Sequence, residues 1–211
     1  MKNLTEYLDS YANRIRADLE RKDAAREKVL PLCRELIRYA SITIRAIHRQ
    51  EFEEARRLLE EGKKVRESLA KAVLEWSDLS SHGFVKDAQK EYTEANAVFA
   101  LVTGQPLPDP DDLKVDYGAY LNGLGDTVGE LRRYILDSMR HGDLTNYEEI
   151  LTAMDDIYTT LVTMDFPDAV TGGLRHTTDQ VRGILEKTRG DITLAVTQKR
   201  LETKLSEHPV K

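Results

Sequence analysis

Apolar residues recur three and four positions apart along almost the whole chain, and no segment alternates apolar and polar residues between turns as a strand would. Residues 3–48 read as one long helix or as two joined at Pro31, with Val29, Cys33, Leu36, Ala40, Ile44 and Ile47 on one stripe. Pro31 should kink or break that run, because it lacks an N–H donor and crowds the preceding turn. A second helix covers 51–78, with Phe52, Ala55, Leu59, Gly62, Val65, Leu69, Val73 and Trp76 in phase, and SSHG at 80–83 ends it. A third covers about 83–103 on the stripe Phe84, Ala88, Glu91, Ala95, Val98 and Val102, and GQPLPDPDD at 104–112 holds three of the six prolines and reads as a loop. A fourth runs about 116–142, with Tyr117, Leu121, Leu124, Val128, Leu131 and Ile135 in phase, and HGD at 141–143 stops it. A fifth covers about 144–165. Pro167 suits the first turn of a sixth that runs to Arg189, where Gly190 interrupts it before a last helical stretch over 191–206. Six or seven long helices with short connections predict an all-α antiparallel bundle, with residues 1–211 forming a single domain.

Composition narrows the class. The 211 residues are 32% charged and 40% hydrophobic, as in a soluble globular protein. No apolar run approaches the ~18 residues that would span a bilayer, so no membrane association is expected. MKNLTEYLDSYANR carries both signs of charge and does not resemble a signal peptide. Cys33 is the only cysteine, which excludes an internal disulfide and a cysteine-rich metal site, and a reducing cytoplasmic setting fits. The net charge of −6 argues mildly against general nucleic-acid affinity but leaves room for a locally basic face.

The chemistry concentrates in two carboxylate pairs, Glu91 and Glu94 in KEYTEA, and Asp126 and Glu130 in GLGDTVGEL. Residues three or four apart share a helix face, so each pair can converge on one point. If the third and fourth helices form an antiparallel hairpin about the Pro-rich loop, Glu94 matches the depth of Asp126, and Glu91 faces Gly129 and Glu130. Four such acids are a hard-oxygen set suited to Mg²⁺ or Mn²⁺. Glu91 falls on the apolar stripe of its helix and Glu94 on the flank. Gly123, Gly125 and Gly129 thin the fourth helix and would permit close approach of a neighbour. The plain alternative is that these acids belong to a solvated face, the ordinary state of acidic residues.

Basic clusters occur at Arg45, His48 and Arg49, at Lys63, Lys64 and Arg66, and at Arg132, Arg133, Arg140 and His141. Arg175, His176, Arg182, Lys187 and Arg189 decorate the sixth helix, with Arg182 and Arg189 on one face. Each group is a candidate phosphate contact, and the plainer reading of each is cations favoured by helix C-termini or by solvent. No histidine stands in a Glu-x-x-His pair, which counts against a di-iron bundle, and no zinc motif or Gly-rich phosphate loop is present. Cys33, Trp76 and the tyrosines read as packing residues.

EYTEA, a Pro-rich loop and VDYGAYLNGLGDTVGELRRYILDSMRHGD together resemble the translin/Trax family. The matching positions are Asp116, Tyr120, Leu121, Gly123, Glu130, Leu131, Ser138, Gly142 and Asp143, with IRAIHR at 44–49 and EKTRG at 186–190 extending the likeness over about 30–190. The Glu-Tyr-x-Glu and Asp-x-x-x-Glu segments are similar to the catalytic Trax-type subunit, here of prokaryotic or archaeal character. The departures are a shorter chain, a compact loop before the fourth helix and a weak match around FPDAVTGGLR. The resemblance implies a translin-like helical fold and an Mg²⁺- or Mn²⁺-dependent endoribonuclease acting on single-stranded RNA, with single-stranded DNA as a further ligand. Glu91, Glu94, Asp126 and Glu130 would be its metal and catalytic residues, and Arg45, His48, Arg49, Arg182 and Arg189 would contact RNA. It further implies a homo-oligomeric shell, an octamer, enclosing the RNA. The rival readings are a non-catalytic shell that binds single-stranded RNA or DNA, and a helical scaffold for another protein.

Overall fold

The computed structural model describes residues 4–74, 76, 82–143 and 145–207. Its helices are α1 (Leu4–His48), α2 (Phe52–Leu74), α3 (Gly83–Val102), α4 (Pro110–Leu113), α5 (Tyr117–Arg140), α6 (Tyr147–Val162), α7 (Asp168–Thr171) and α8 (Leu174–Glu207). Six are long and α4 and α7 are single turns, so the all-α expectation holds, and no strand occurs among the described residues. Among the described residues no helix is long and apolar enough to cross a membrane.

Four sequence expectations about helix ends change. Pro31 lies inside a continuous α1. Its ring is exposed, so the carbonyl it leaves unpaired one turn earlier can be hydrated instead of orphaned. Gly190 likewise lies inside α8, with nothing within 4 Å of the position a Cβ would take, and its propensity cost is outweighed by packing on either side. Pro167 does not open the sixth long helix. It caps the single turn α7, and Gly172 and Gly173, both at positive φ, redirect the chain into α8. The expected extension of α2 to residue 78 fails at Trp76, which stands outside the helix after its end at Leu74; residue 75 and residues 77–81, with the expected stop at Ser80 and Ser81, lie outside the described residues.

The hairpins α1–α2, α2–α3, α5–α6 and α6–α8 are antiparallel. Ile47 packs near Ala55 at one end of α1–α2, and Cys33 and Leu36 share a cluster with Leu69 farther along. Arg175 on α8 pairs with Asp165 just past α6, and Arg189 with Asp155 within it. The pair α3–α5 departs from the expected hairpin, because contacts advance along both helices in the same direction. Lys86 meets Asp116 at 3.8 Å, and Val85 and Ala88 share a cluster with Val115 and Tyr120. Farther on, Ala97 packs with Leu124 and Val128, and Val98, Phe99 and Val102 with Tyr134. These helices are therefore parallel. Residues 103–116 run back along α3 to its beginning, held by the Tyr120 hydroxyl donating to the Pro108 carbonyl (2.8 Å) and by burial of Leu113 and Val115.

Small residues set how closely α5 approaches its neighbours. A Cβ on Gly123 would stand 2.7 Å from the Lys90 carbonyl oxygen and 2.8 Å from Thr93 Cβ, both on α3. A Cβ on Gly125 would collide with the Thr177 methyl of α8. Gly129 has no such role, since its nearest neighbour is Ile184 Cδ1 at 3.9 Å. Asn122 fixes the same region. Its amide donates to the carbonyls of Gly118 (2.8 Å) and Thr171 (2.7 Å), and its oxygen accepts from the Thr177 hydroxyl (2.7 Å). The main core, built on Val128, Leu131, Met154, Leu161, Leu174 and Leu185, then joins α5, α6 and α8.

Candidate functional site

Both acid pairs face one cleft of about 550 Å³, lined by Glu91, Glu94, Asp126 and Glu130 with Ser41, Ile44, Arg45 and Arg133. Parallel register brings them there. With Gly123 level with Lys90–Thr93, Asp126 falls near Glu94, and the convergence arises by a different route from the hairpin argument. Two threonines set the rotation of each helix. Thr93 and Thr127 are fully buried beside the acids, and each hydroxyl donates to the carbonyl four residues back, Gln89 and Gly123. The expected order of the first pair is reversed, because Glu94 is 8% exposed and Glu91 is only half-buried.

The four carboxylates are not equivalent. Asp126 Oδ2 lies 2.7 Å from Lys90 Nζ. Glu130 Oε2 lies 2.5 Å from His48 Nε2 and 3.6 Å from Arg133 Nη1. The His48 hydrogen bond holds the Glu130 carboxyl below the usual carboxylate range. Glu91 and Glu94 have no hydrogen bond or ion pair among the described residues. Burial raises the pKa of Glu91. Burial first, and then the neighbouring Glu91, Asp126 and Glu130, push Glu94 up to about 8.

Of the expected RNA contacts, Arg45 lines the cleft, its Nε donating to the Ser41 carbonyl at 3.3 Å. Arg49 is exposed in the turn after α1. His48 points inward instead of to solvent. Its side chain is 6% exposed, and its Nδ1 is buried without a hydrogen-bond partner, 3.9 Å from Asp137 Oδ2. Its place is therefore behind Glu130 and not on an RNA-facing surface. Arg182 and Arg189 do not join the cleft; they pair with Glu186 (3.2 Å) and Asp155 (2.6 Å) on the α6–α8 side. Sequence reasoning missed Lys90. The signal for Lys90 was its position beside Glu91, legible only once the parallel register places it against Asp126.

The donor set is carboxylate oxygen, the chemistry of a hard divalent ion, and the buried, partnerless Glu94 is the group such an ion would satisfy. As arranged, no group of three or more His, Cys, Asp or Glu side chains among the described residues stands ready to hold a metal. Asp126 Oδ2 is engaged by Lys90 and Glu130 Oε2 by His48, so an ion would draw on their other oxygens or displace these partners. The residues fit the ion in kind, with a rearrangement of side chains.

No family model matches the chain. It is 31% identical over 195 residues to an uncharacterized protein of Methanocaldococcus jannaschii, covering 90% of this chain and 83% of the relative. Among solved structures it is similar to AfC3PO (34% identity, TM-score 0.81, 89% of this chain and 98% of that one). A structure of AfC3PO in complex with duplex RNA matches at 33% identity and a TM-score of 0.80, covering 89% of this chain and 97% of that one. The chain belongs to the translin/Trax family. Apo-NeC3PO, at 18% identity and a TM-score of 0.77 over 87% of this chain and 96% of that one, shares the fold. In this translin/Trax protein α3 and α5 carry the acids, and α1 supplies the cation Arg45 and the histidine behind Glu130.

Proposed function

We propose that this translin/Trax protein binds RNA in the acid cleft and cleaves it as a divalent-metal-dependent endoribonuclease of Trax type. The observation that carries the reading is a single cleft receiving four acids from two helices, one of them buried without a partner. RNA is the ligand favoured because an AfC3PO structure at 33% identity is a complex with duplex RNA. Glu91, Glu94, Asp126 and Glu130 would hold Mg²⁺ or Mn²⁺, which when bound supplies Lewis-acid polarisation of a phosphoryl oxygen and a lowered pKa for the attacking water. Arg45 and Arg133, at the cleft wall, position the phosphate backbone. His48 keeps Glu130 ionised and oriented.

The oligomeric shell is part of the proposal. Leu4, Leu8, Tyr11, Ile15 and Leu19 form an exposed apolar stripe on α1, and Leu194, Leu201 and Leu205 are exposed on α8, as surfaces awaiting other subunits would be. Light scattering that returns an octamer supports the shell; a monomer refutes it.

The rival reading, a shell that binds RNA without cutting it, draws on Lys90 and His48 already engaging two of the acids. Labelled single-stranded and duplex RNAs, incubated with Mg²⁺ or Mn²⁺ and with or without EDTA, separate the two. Cleavage that EDTA, Glu94→Gln and Asp126→Asn each abolish supports the nuclease. RNA retained intact at every metal concentration supports the shell instead.

A further inference from the structure

Only two charged side chains among the described residues are buried, and they lie on opposite sides of α3: Glu94 in the acid cleft, and Arg66 elsewhere. Arg66, on α2, is 4% exposed and has no hydrogen bond or ion pair among the described residues. A guanidinium does not deprotonate under ordinary conditions, so it cannot escape burial by losing its charge. A buried charge without a bonded partner is strongly unfavourable; burial pulls the Arg66 pKa downward, and Tyr92 and Glu67, neither in hydrogen-bond or ion-pair contact with it, only partly oppose that shift. Such a group needs an anion.

Space for one exists beside it. Arg66 lines a cavity of about 600 Å³ walled by α2, α3 and the return segment 103–116. Lys63 and Arg56 from α2 and Lys114 from the return segment add three cations. The acids Glu60, Glu67 and Asp112 also line it but are exposed, whereas Arg66 is enclosed. Asn96 also lines it, its amide donating to the Tyr92 carbonyl (2.7 Å), and the largely buried Tyr92 and Phe99 rings back the wall.

We propose that this cavity is a binding site for a small phosphorylated ligand, its phosphate held by the Arg66 guanidinium with Lys63 and Lys114 around it. The planar fork of Arg matches a phosphate with two parallel hydrogen bonds, which a point-charge lysine does not. The aromatic walls and volume accept an attached ring of nucleoside size. The site is separate from the acid cleft and does not depend on nuclease activity.

The test uses the full-length chain in EDTA, so that any metal in the acid cleft is excluded. Isothermal titration and thermal melts are run with inorganic phosphate and with adenosine 5′-monophosphate, against chloride at equal ionic strength. Wild type should bind both, with its Tm rising with ligand concentration. Tighter binding of the monophosphate identifies a nucleotide site, and equal binding identifies a phosphate site; both support the proposal. Arg66→Met should weaken binding at least about 10-fold, as expected for a lost charged hydrogen bond. It should also melt no lower than wild type in phosphate-free buffer, because it removes an unpaired buried charge. Lys63→Ala and Lys114→Ala, at exposed side chains, should weaken binding too. Glu94→Gln should bind phosphate as wild type does, whatever becomes of cleavage. No binding by wild type at millimolar phosphate, undiminished binding by Arg66→Met, or a large loss of Tm in unliganded Arg66→Met overturns the proposal.

Discussion

Replacing Glu94 by Gln keeps the shape of the buried side chain and removes its ionisation. The Glu94 carboxyl has a pKa of about 8 in the fold and an ordinary value of 4.5 in the open chain. Because the folded value is the higher one, the folded state holds a proton that the unfolded chain gives up. The stability tied to Glu94 is fully present below about 4.5, falls as pH rises, and is lost once pH passes about 8. At 1.36 kcal/mol per pH unit that span amounts to about 5 kcal/mol, and screening by water in the cleft reduces it to about 2–4 kcal/mol. In EDTA, Glu94→Gln should therefore match wild type at pH 5 within about 1 kcal/mol and exceed it by about 2–4 kcal/mol at pH 9. At about 2–4 °C per kcal/mol for a chain of this size, the Tm gap at pH 9 is roughly 5–15 °C. Circular-dichroism melts at both pH values, with denaturant titrations at 25 °C, read the difference. A gap that does not change with pH, or a variant less stable at pH 9, refutes a buried carboxyl ionising at a cost.

Mn²⁺ added at pH 8 should raise the Tm of wild type and leave that of Glu94→Gln nearly unchanged, since an ion held by ionised Glu94 offsets the same cost; equal shifts in both proteins count against the metal assignment. Gly123→Ala and Gly129→Ala should move stability in opposite directions. The first forces α3 and α5 apart at a backbone carbonyl and a threonine and costs about 1–3 kcal/mol, while the second meets nothing closer than 3.9 Å and gains up to about 1 kcal/mol of helix propensity. Denaturant midpoints with the same sign for both would contradict the close α3–α5 approach. Asn122→Ala strands the buried Thr171 carbonyl and should cost about 2–3 kcal/mol by the same measurement.

Helix content and the acid pairs were legible because period and spacing are local properties. Val128, Leu131 and Ile135 repeat on one face of α5 wherever that helix goes, and all three are buried. Pro31 and Gly190 were misread because a breaker's cost depends on whether its surroundings face water, and both face outward. The rotation of α3 was misread because Thr93 is fully buried beside Glu94, and a threonine whose hydroxyl bonds its own helix behaves as an apolar residue that no hydropathy pattern records. His48 carried the right type of residue for a phosphate contact, yet its neighbour is fixed by how α1 packs on α5, a pairing 82 positions apart. Arg66 looked like one more cation in a solvated run with Lys63 and Lys64, since nothing in a sequence distinguishes the arginine that turns inward.

The direction of α5 is the feature that local reading could least supply, and it determines both sites. Proline-rich 104–112 reads as a turn, and the shortest turn between two long helices gives a hairpin. Here Asp116, the cap of α5, instead meets Lys86 near the start of α3, so the chain returns from Val102 over about sixteen residues of helix, some 24 Å at 1.5 Å per residue. At no more than about 3.6 Å per extended residue, fewer than about seven residues cannot make that journey. A four-residue turn in place of 103–116 therefore denies α5 its parallel register, moves Asp126 and Glu130 away from Glu91 and Glu94, and removes the wall that encloses Arg66. Removing only Gln105 and Pro106 leaves ample length and should preserve the fold. Far-ultraviolet dichroism, size-exclusion elution and Tm on the two variants decide the matter: loss of the cooperative transition is expected for the four-residue turn alone, and a native-like melt from that variant would show α3 and α5 to be a hairpin after all.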